Sequence, residues 1–366
     1  MRLYKHFPPA LLFILPVSLS LFVYGADAQT ITRQKPSNSG IPAILVFGDS
    51  TVDPGNNDYI ETATKSNFPP YGRDFPNQVP TGRFTNGRLV TDFIASYVGV
   101  KEYLPPYLDP TLSTEELMTG VSFASAGSGF DPLTAELGGV IPLQKQLEYF
   151  REYKARLELA IGKKRTEDFI KKSGFVISAG TNDFIINYFG PPIRRKSFTV
   201  AAYQNFLLQQ LQQLIQGLVH EGARKIAVVG LPPIGCLPAV ITLHSHDLFN
   251  GRGCIESLSS VARDYNRMLQ DNLNRTGHGG TQVIYADIYA PLTNIIQGPG
   301  NFDVDVVNKG CCGTGLLETS ILCNPKSAIC SDPSKYVFWD AVHPTEKAYS
   351  TIFNSLQSTI DYFLQL

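Results

Sequence analysis

Ile44-Leu-Val-Phe-Gly-Asp-Ser50 is the stretch on which the architecture of this chain turns. Four consecutive apolar residues with no polar alternation describe a strand buried on both faces, which is the pattern of a parallel sheet covered by helices. Further along, Val121-Ser-Phe-Ala124 repeats the pattern weakly and Phe175-Val-Ile-Ser178 strongly, and Lys225-Ile-Ala-Val-Val229 and Gln282-Val-Ile-Tyr285 follow. Between these runs, apolar residues recur at three- and four-residue steps over about 141–160, 199–221, 256–273 and 344–362, which predicts helices. The second of these shows the period in Phe206, Leu207, Leu211, Leu214, Ile215 and Leu218, and it ends before Gly222. Strands alternating with helices predict an α/β fold. About five strands suit a flavodoxin-like doubly wound sheet flanked by helices better than an eight-stranded barrel.

The rest of the chain is consistent with one exported domain. Its 366 residues are 43% hydrophobic and 17% charged, enough for a large buried core. A formal charge of -1 gives no reason to expect nucleic acid or an anionic membrane as partner. The basic clusters Lys163-Lys164-Arg165 and Arg194-Arg195-Lys196 read as solvated surface, with an acidic polysaccharide as the alternative. At the N-terminus, Arg2 and Lys5 precede the apolar run Ala10 to Val23 and the small-x-small sequence Ala26-Asp27-Ala28. Residues 1–28 therefore read as a signal peptide, with cleavage after Gly25 as the other option. Residues 29–40 are polar and read as disordered, and 41–366 as a single domain without a later membrane span.

Six cysteines, Cys236, Cys254, Cys311, Cys312, Cys323 and Cys330, all follow the signal segment and are even in number, as in secreted proteins. The expected pairing is Cys236 with Cys254 and two bridges inside 311–330. A zinc site is disfavoured, because the cluster lacks paired C-x-x-C units and holds no histidine. Asn274-Arg-Thr276 is a glycosylation sequon.

Sites in open α/β sheets form beyond the carboxyl ends of the strands. Four segments fall there: Phe47-Gly-Asp-Ser-Thr51, Phe123-Ala-Ser-Ala-Gly-Ser-Gly129, Ser178-Ala-Gly-Thr-Asn-Asp183 and Phe338-Trp-Asp-Ala-Val-His-Pro344. Ser50 is a weak nucleophile until a base takes its proton, and His343 is the candidate base. Asp340, three residues earlier, is placed to hold the imidazole tautomer and to stabilise imidazolium. An oxyanion then needs donors, and the Asn182 amide and the backbone N–H groups of Ser50 and of Ala126 or Gly127 are the candidates. Each motif by itself has an ordinary reading: Gly-Asp-Ser as a helix cap, Asn182 as a turn residue, Asp340 with His343 as a structural pair. Their order and strand contexts together carry the inference. Asp49 and Asp183, beside these positions, read as supporting loop residues.

On these residues the chain resembles the GDSL esterase/lipase family of the SGNH hydrolase superfamily, and within it the plant extracellular type. The match is to Phe47-Gly-Asp-Ser50 with Thr51 where the family name has Leu, to Val52-Asp-Pro-Gly-Asn-Asn-Asp58, to Gly180-Thr-Asn-Asp183 and to Trp339-Asp-Ala-Val-His-Pro-Thr345. The resemblance implies the SGNH hydrolase fold, Ser50, Asp340 and His343 as the triad and Asn182 as an oxyanion donor. The second block departs from the family's usual Ala-Ser-Gly-Gly, reading Ala124-Ser-Ala-Gly127, so the family's glycine donor maps to Ala126 or to Gly127.

Other chemistries find less support. There is no Gly-x-Ser-x-Gly elbow and no phosphate loop, and Pro132 stands where a dinucleotide loop beginning at Gly127 would need glycine. His244 and His246 lie in a polar stretch without a ligand cluster, and His220 near a helix end suits a dipole partner. The reading is a secreted serine esterase or lipase without metal or cofactor, acting on a lipid or an acylated cell-wall or surface polymer, in the apoplast or cell wall if the source is a plant. An acyltransferase, a polysaccharide O-acetylesterase and a catalytically silent coat protein are the alternatives. Acyl length is expected to depend on loops such as 59–90 and 298–335. The aromatics Phe68, Tyr71, Phe75 and Phe84 are candidates for a wall near the nucleophile.

Overall fold

The apolar run at residue 44 becomes β1 (Ile44–Gly48), every residue of it buried. The computed structural model describes residues 40–245, 251–275 and 280–365. Within them β1 is joined by β2 (Gly120–Ser122), β3 (Gly174–Ser178), β4 (Lys225–Val229) and β5 (Gln282–Ala286). The order is β2-β1-β3-β4-β5 and all pairs are parallel, as a flavodoxin-like sheet requires. The chain leaves β1 toward one edge and returns to pair β3 on the other side. That reversal opens a crevice at the carboxyl ends of β1 and β3, where such folds place their ligands.

The helices of nine or more residues are α1 (Val90–Val98), α2 (Leu143–Ile161), α3 (Lys163–Lys172), α4 (Val200–His220), α5 (Glu256–Arg275), α6 (Tyr289–Gln297) and α7 (Glu346–Gln365). On one face of the sheet, Phe150 of α2 packs edge-on against Phe47 and Phe175, with ring centroids 5.9 and 5.4 Å apart. On the other face, the register aligns Val46, Val176, Ala227 and Ile284 in one row. That row looks toward α1, α6 and α7. Burial is uneven there. Ile226 and Val228 of β4 are buried, but Lys225, Ala227 and Val229, on the α7 side, are only half-buried.

The predicted helices appear with their ends shifted by a few residues, for physical reasons. Pro142 fixes the start of α2, and the Thr199 side chain caps α4 by accepting from the amide of Ala202. The second strand is shorter than expected, because the carbonyls of Ser122 and Ala124 both accept from the Asn56 side chain. Three of these helices, α1, α3 and α6, were not expected from sequence periodicity. In α3 only Thr166, Phe169 and Ile170 are buried, and its lysines and arginine dominate the pattern. A separate two-stranded parallel sheet, β6 (Val306–Gly310) with β7 (Tyr336–Phe338), was also not expected; it carries Asp340 and His343 just beyond its end. Between those strands lies the cysteine-rich loop, closed by Cys311–Cys330 and Cys312–Cys323, while Cys236–Cys254 forms the third bridge. Among the described residues no helix is long and apolar enough to cross a membrane.

Candidate active site

β1 ends at Gly48, where the backbone makes a sharp turn at φ 145°. A Cβ at this position would overlap the carbonyl oxygen of Ser178, so only glycine lets the two loops come this close. The Asp49 amide then donates to the Ser178 carbonyl at 3.0 Å, and the Val52 amide to the Asp49 carbonyl at 3.2 Å. Asp49 Oδ1 accepts from the amide and hydroxyl of Thr51. Ser50 sits at the head of this turn and caps no helix. Burial pushes the Asp49 carboxyl up to about 6, against its Thr51 hydrogen bonds and the nearby His343.

Three loops converge on Ser50 through hydrogen bonds. The Ser125 amide donates to the Gly48 carbonyl at 3.0 Å, bringing the β2 exit loop alongside. Asn182, at the start of a π-helical turn (Asp183–Tyr188), donates from Nδ2 to the Ser128 carbonyl at 2.9 Å. Its second amide hydrogen remains available, as do the backbone N–H groups of Ser50 and Gly127, which have no partner among the described residues. Ala126 differs. Its N–H donates to Asp53 Oδ2 at 2.9 Å and its carbonyl accepts from Asn57, so it is withdrawn from the pair of donors that the sequence left open.

His343 reaches Ser50 from the far end of the chain. Its Nε2 lies 2.8 Å from Ser50 Oγ, and its Nδ1 lies 2.9 and 2.8 Å from the two oxygens of Asp340. Asp340 is fully buried and accepts from the amides of Val342 and His343, from Tyr71 Oη at 2.8 Å and from Thr319 Oγ1 at 3.1 Å. Burial alone would raise its pKa, but the His343 charge and these donors outweigh it and hold the carboxyl below the ordinary aspartate value. Such a carboxylate stays ionised next to an imidazole.

Apart from Asp49 and Asp183, the supporting groups were not assigned from sequence. Asp53 accepts from the amides of Gly55, Asn56 and Ala126, and Asn57 bridges the carbonyls of Thr64 and Ala126. The stretch Val52–Asp58 thus splints the loop that carries Gly127. Asp183 does the same from the other side, accepting from the amides of Phe130 and Asp131 and from Thr134. Burial pushes both Asp53 and Asp183 up to about 7. Tyr71 also accepts from the Ser320 amide at 2.8 Å, linking the cysteine-rich loop to Asp340. The roles of Asn57 and Tyr71 could not be read from sequence because their partners are distant in the chain.

Part of the aromatic segment lies against the triad. Phe84 packs on the His343 ring at 4.9 Å and Tyr71 on Phe84 at 5.6 Å, so these two brace the histidine. Phe75 packs at a tilt on Tyr103, with ring centroids 4.8 Å apart. His220 is exposed at the end of α4, Asn274 is exposed in the last turn of α5, and Thr276 and His246 lie outside the described residues. Among the described residues no cluster of His, Cys, Asp and Glu is arranged to hold a metal ion.

Comparison with known proteins gives the family. The family profile described as GDSL-like Lipase/Acylhydrolase matches residues 44–356. The chain belongs to this family. A GDSL esterase/lipase of Arabidopsis thaliana is 58% identical over 328 residues, covering 88% of this chain and 88% of the relative. Two others from the same plant are 45% identical with 88% and 90% covered, and 44% identical with 86% and 90% covered. As a GDSL esterase/lipase family member the chain is a carboxylic ester hydrolase, and its family match spans the sheet and all four segments at the strand ends.

Proposed function

We propose that this GDSL hydrolase cleaves esters through an acyl-enzyme on Ser50, after export from the cell. The observation that carries the reading is the unbroken chain Ser50 Oγ, His343 Nε2, His343 Nδ1 and the Asp340 carboxylate, each contact 2.8 or 2.9 Å. Neutral His343 takes the Ser50 proton as Oγ bonds to the ester carbonyl carbon. The resulting oxyanion accepts from Ser50 N–H, Gly127 N–H and the free Asn182 amide hydrogen. Collapse breaks the bond to the alkoxy group, which leaves with the proton from His343. Water then attacks the acyl-enzyme with His343 again as base, releasing the acid and restoring Ser50. Asp340 keeps the imidazole oriented and stabilises it when protonated. Gly127 rather than Ala126 is the second backbone donor, because the Ala126 amide is committed to Asp53.

Residues 1–28 act as the signal peptide and 41–366 as one catalytic domain. Three disulfides and an exposed Asn274 within a sequon favour an extracellular, glycosylated product. The test is Ser50→Ala in the purified protein. It abolishes turnover of p-nitrophenyl esters and labelling by a fluorophosphonate while leaving the circular dichroism spectrum unchanged. Activity equal to wild type in that variant refutes the mechanism.

A further inference from the structure

Two of the oxyanion donors in the proposed mechanism, Asn182 and Gly127, stand on different segments of the chain. Asn182 opens the π-helical turn Asp183–Tyr188, and Gly127 lies in the loop that runs from β2 to Asp131. Donors act on a developing oxyanion only at hydrogen-bond distance, so the spacing of these two segments matters to the reaction. A π-helical turn is a rare form found mostly at functional sites. In this one the Phe189 amide reaches five residues back to the Phe184 carbonyl at 2.7 Å. Side chains from outside the turn hold it in place.

Asn187, fully buried near the end of the turn, donates from Nδ2 to Thr134 Oγ1 at 2.6 Å, and Thr134 Oγ1 donates in turn to Asp183. The Asp131 carboxylate lies at the centre of this joint. It is fully buried and caps the short helix Pro132–Gly138 by accepting from the Leu133 amide. It also lies 3.4 Å from Asn187 Nδ2 and 3.0 Å from Tyr203 Oη of α4, which is itself 2.8 Å from Asn187 Oδ1. A helix cap alone needs none of these further contacts. Arg194, read from sequence as part of a solvated basic cluster, turns inward to complete them. Its Nε and Nη2 donate to the two Asp131 oxygens at 2.6 and 2.7 Å, a two-pronged pair that fixes the direction of the carboxylate. Arg195 and Lys196 stay exposed.

We infer that Arg194 and Asp131 are positioning residues for the oxyanion hole: their ion pair locks the π-helical turn onto the loop after β2 and so sets the spacing between the Asn182 amide and the Gly127 N–H. The inference rests on the acyl-enzyme reading with its donors, and adds two residues that have no contact with Ser50, His343 or Asp340. The Asn182 amide is held to the Ser128 carbonyl and the neighbouring Asp183 to the amides of Phe130 and Asp131, so a shift of Asp131 is passed to both donor segments. An ion pair that only supported the fold would behave differently in one respect. Its loss would be felt equally whether or not residue 182 kept its amide, whereas a pair acting through Asn182 has nothing to act on once that amide is gone.

The experiment measures kcat and KM on p-nitrophenyl butyrate for wild type, Arg194→Gln, Asn182→Ala and the double variant, with circular dichroism to establish folding. Arg195→Gln, the exposed neighbour, serves as the control. A donor displaced part-way forfeits part of the 10²–10³ that its removal costs, so Arg194→Gln lowers kcat about tenfold. KM changes by less than about twofold, and the acidic limb of kcat/KM stays in place because the triad is untouched. In the Asn182→Ala background the same substitution lowers kcat by less than about twofold, and Arg195→Gln alone stays within about twofold of wild type. Four results overturn the joint and leave the esterase mechanism standing: unchanged kcat in folded Arg194→Gln, an equal loss in both backgrounds, an equal loss in Arg195→Gln, or a displaced acidic limb. Wild-type kcat in Asn182→Ala or Ser50→Ala overturns the mechanism and the joint with it. Should Arg194→Gln not fold, Asn187→Ser opens the joint from the side of the turn without stranding a charge, and the same cycle with Asn182→Ala decides.

Discussion

Replacing Tyr71 by Phe removes one oxygen and disturbs two partners at once. The Tyr71 hydroxyl donates to Asp340 Oδ2 at 2.8 Å and accepts from the Ser320 amide at 2.8 Å, deep inside the protein. A hydrogen bond to a charged group contributes about 1.5–3 kcal/mol, and the orphaned Ser320 amide adds to the loss. Stability therefore falls by about 2–4 kcal/mol on the same scale. Catalysis falls as well. With one donor gone, the Asp340 carboxylate is held less firmly against the imidazole it orients. If a third to a half of the lost bond energy is felt in the transition state, kcat/KM falls by about two- to tenfold, at about 1.4 kcal/mol per tenfold. The assay is kcat/KM on a soluble ester for wild type and Tyr71→Phe, with thermal unfolding alongside. Unchanged kcat/KM in the folded variant refutes this account of how Tyr71 acts on Asp340.

Other consequences can be measured separately. Asn182→Ala removes a side-chain oxyanion donor and lowers kcat by about 10²–10³ with KM little changed; a fall in KM-dependent terms alone would count against the assignment. Replacing Cys312 and Cys323 together by Ser loosens the loop that carries Thr319 and Ser320 to Asp340 and Tyr71. It therefore lowers kcat more than replacing Cys236 and Cys254 does, a comparison that parallel turnover assays decide. Stability is greatest in mildly acidic solution. Asp53 and Asp183 are pushed up to about 7 by burial, so the folded chain holds protons there that the unfolded chain releases near its ordinary value of 3.8. Their contribution is complete below that value and is lost as the pH rises through about 7. Glu318, lowered to about 2 against burial by its bonds to Thr314 and nearby amides, contributes above 4.5 and loses its contribution as the pH falls through about 2. Unfolding temperatures that rise steadily from pH 5 to pH 8 would contradict this.

Much of the fold was legible because local rules agreed with it. The runs at 44–47, 175–178 and 225–229 are apolar without interruption, and a parallel sheet between helices is what buries such runs. The helix α3 and the small β6–β7 sheet were not legible, since one is masked by its charged face and the other is held together by contacts across 306–338. At the site, Ser50, Asn182, Asp340 and His343 were visible as residue types in suggestive contexts. Asp53, Asn57 and Tyr71 were not, because what each of them does depends on a partner far away in the chain.

The sequence by itself marked a serine beyond one strand and an aspartate and a histidine together near the far end of the chain, along with a parallel sheet whose hydrophobic pattern is written locally. Tertiary structure alone paired the Ala126 amide with Asp53 and set Tyr71 and Phe84 against Asp340 and His343. Both depend on which groups are already occupied, and occupancy exists only once distant segments have been packed together.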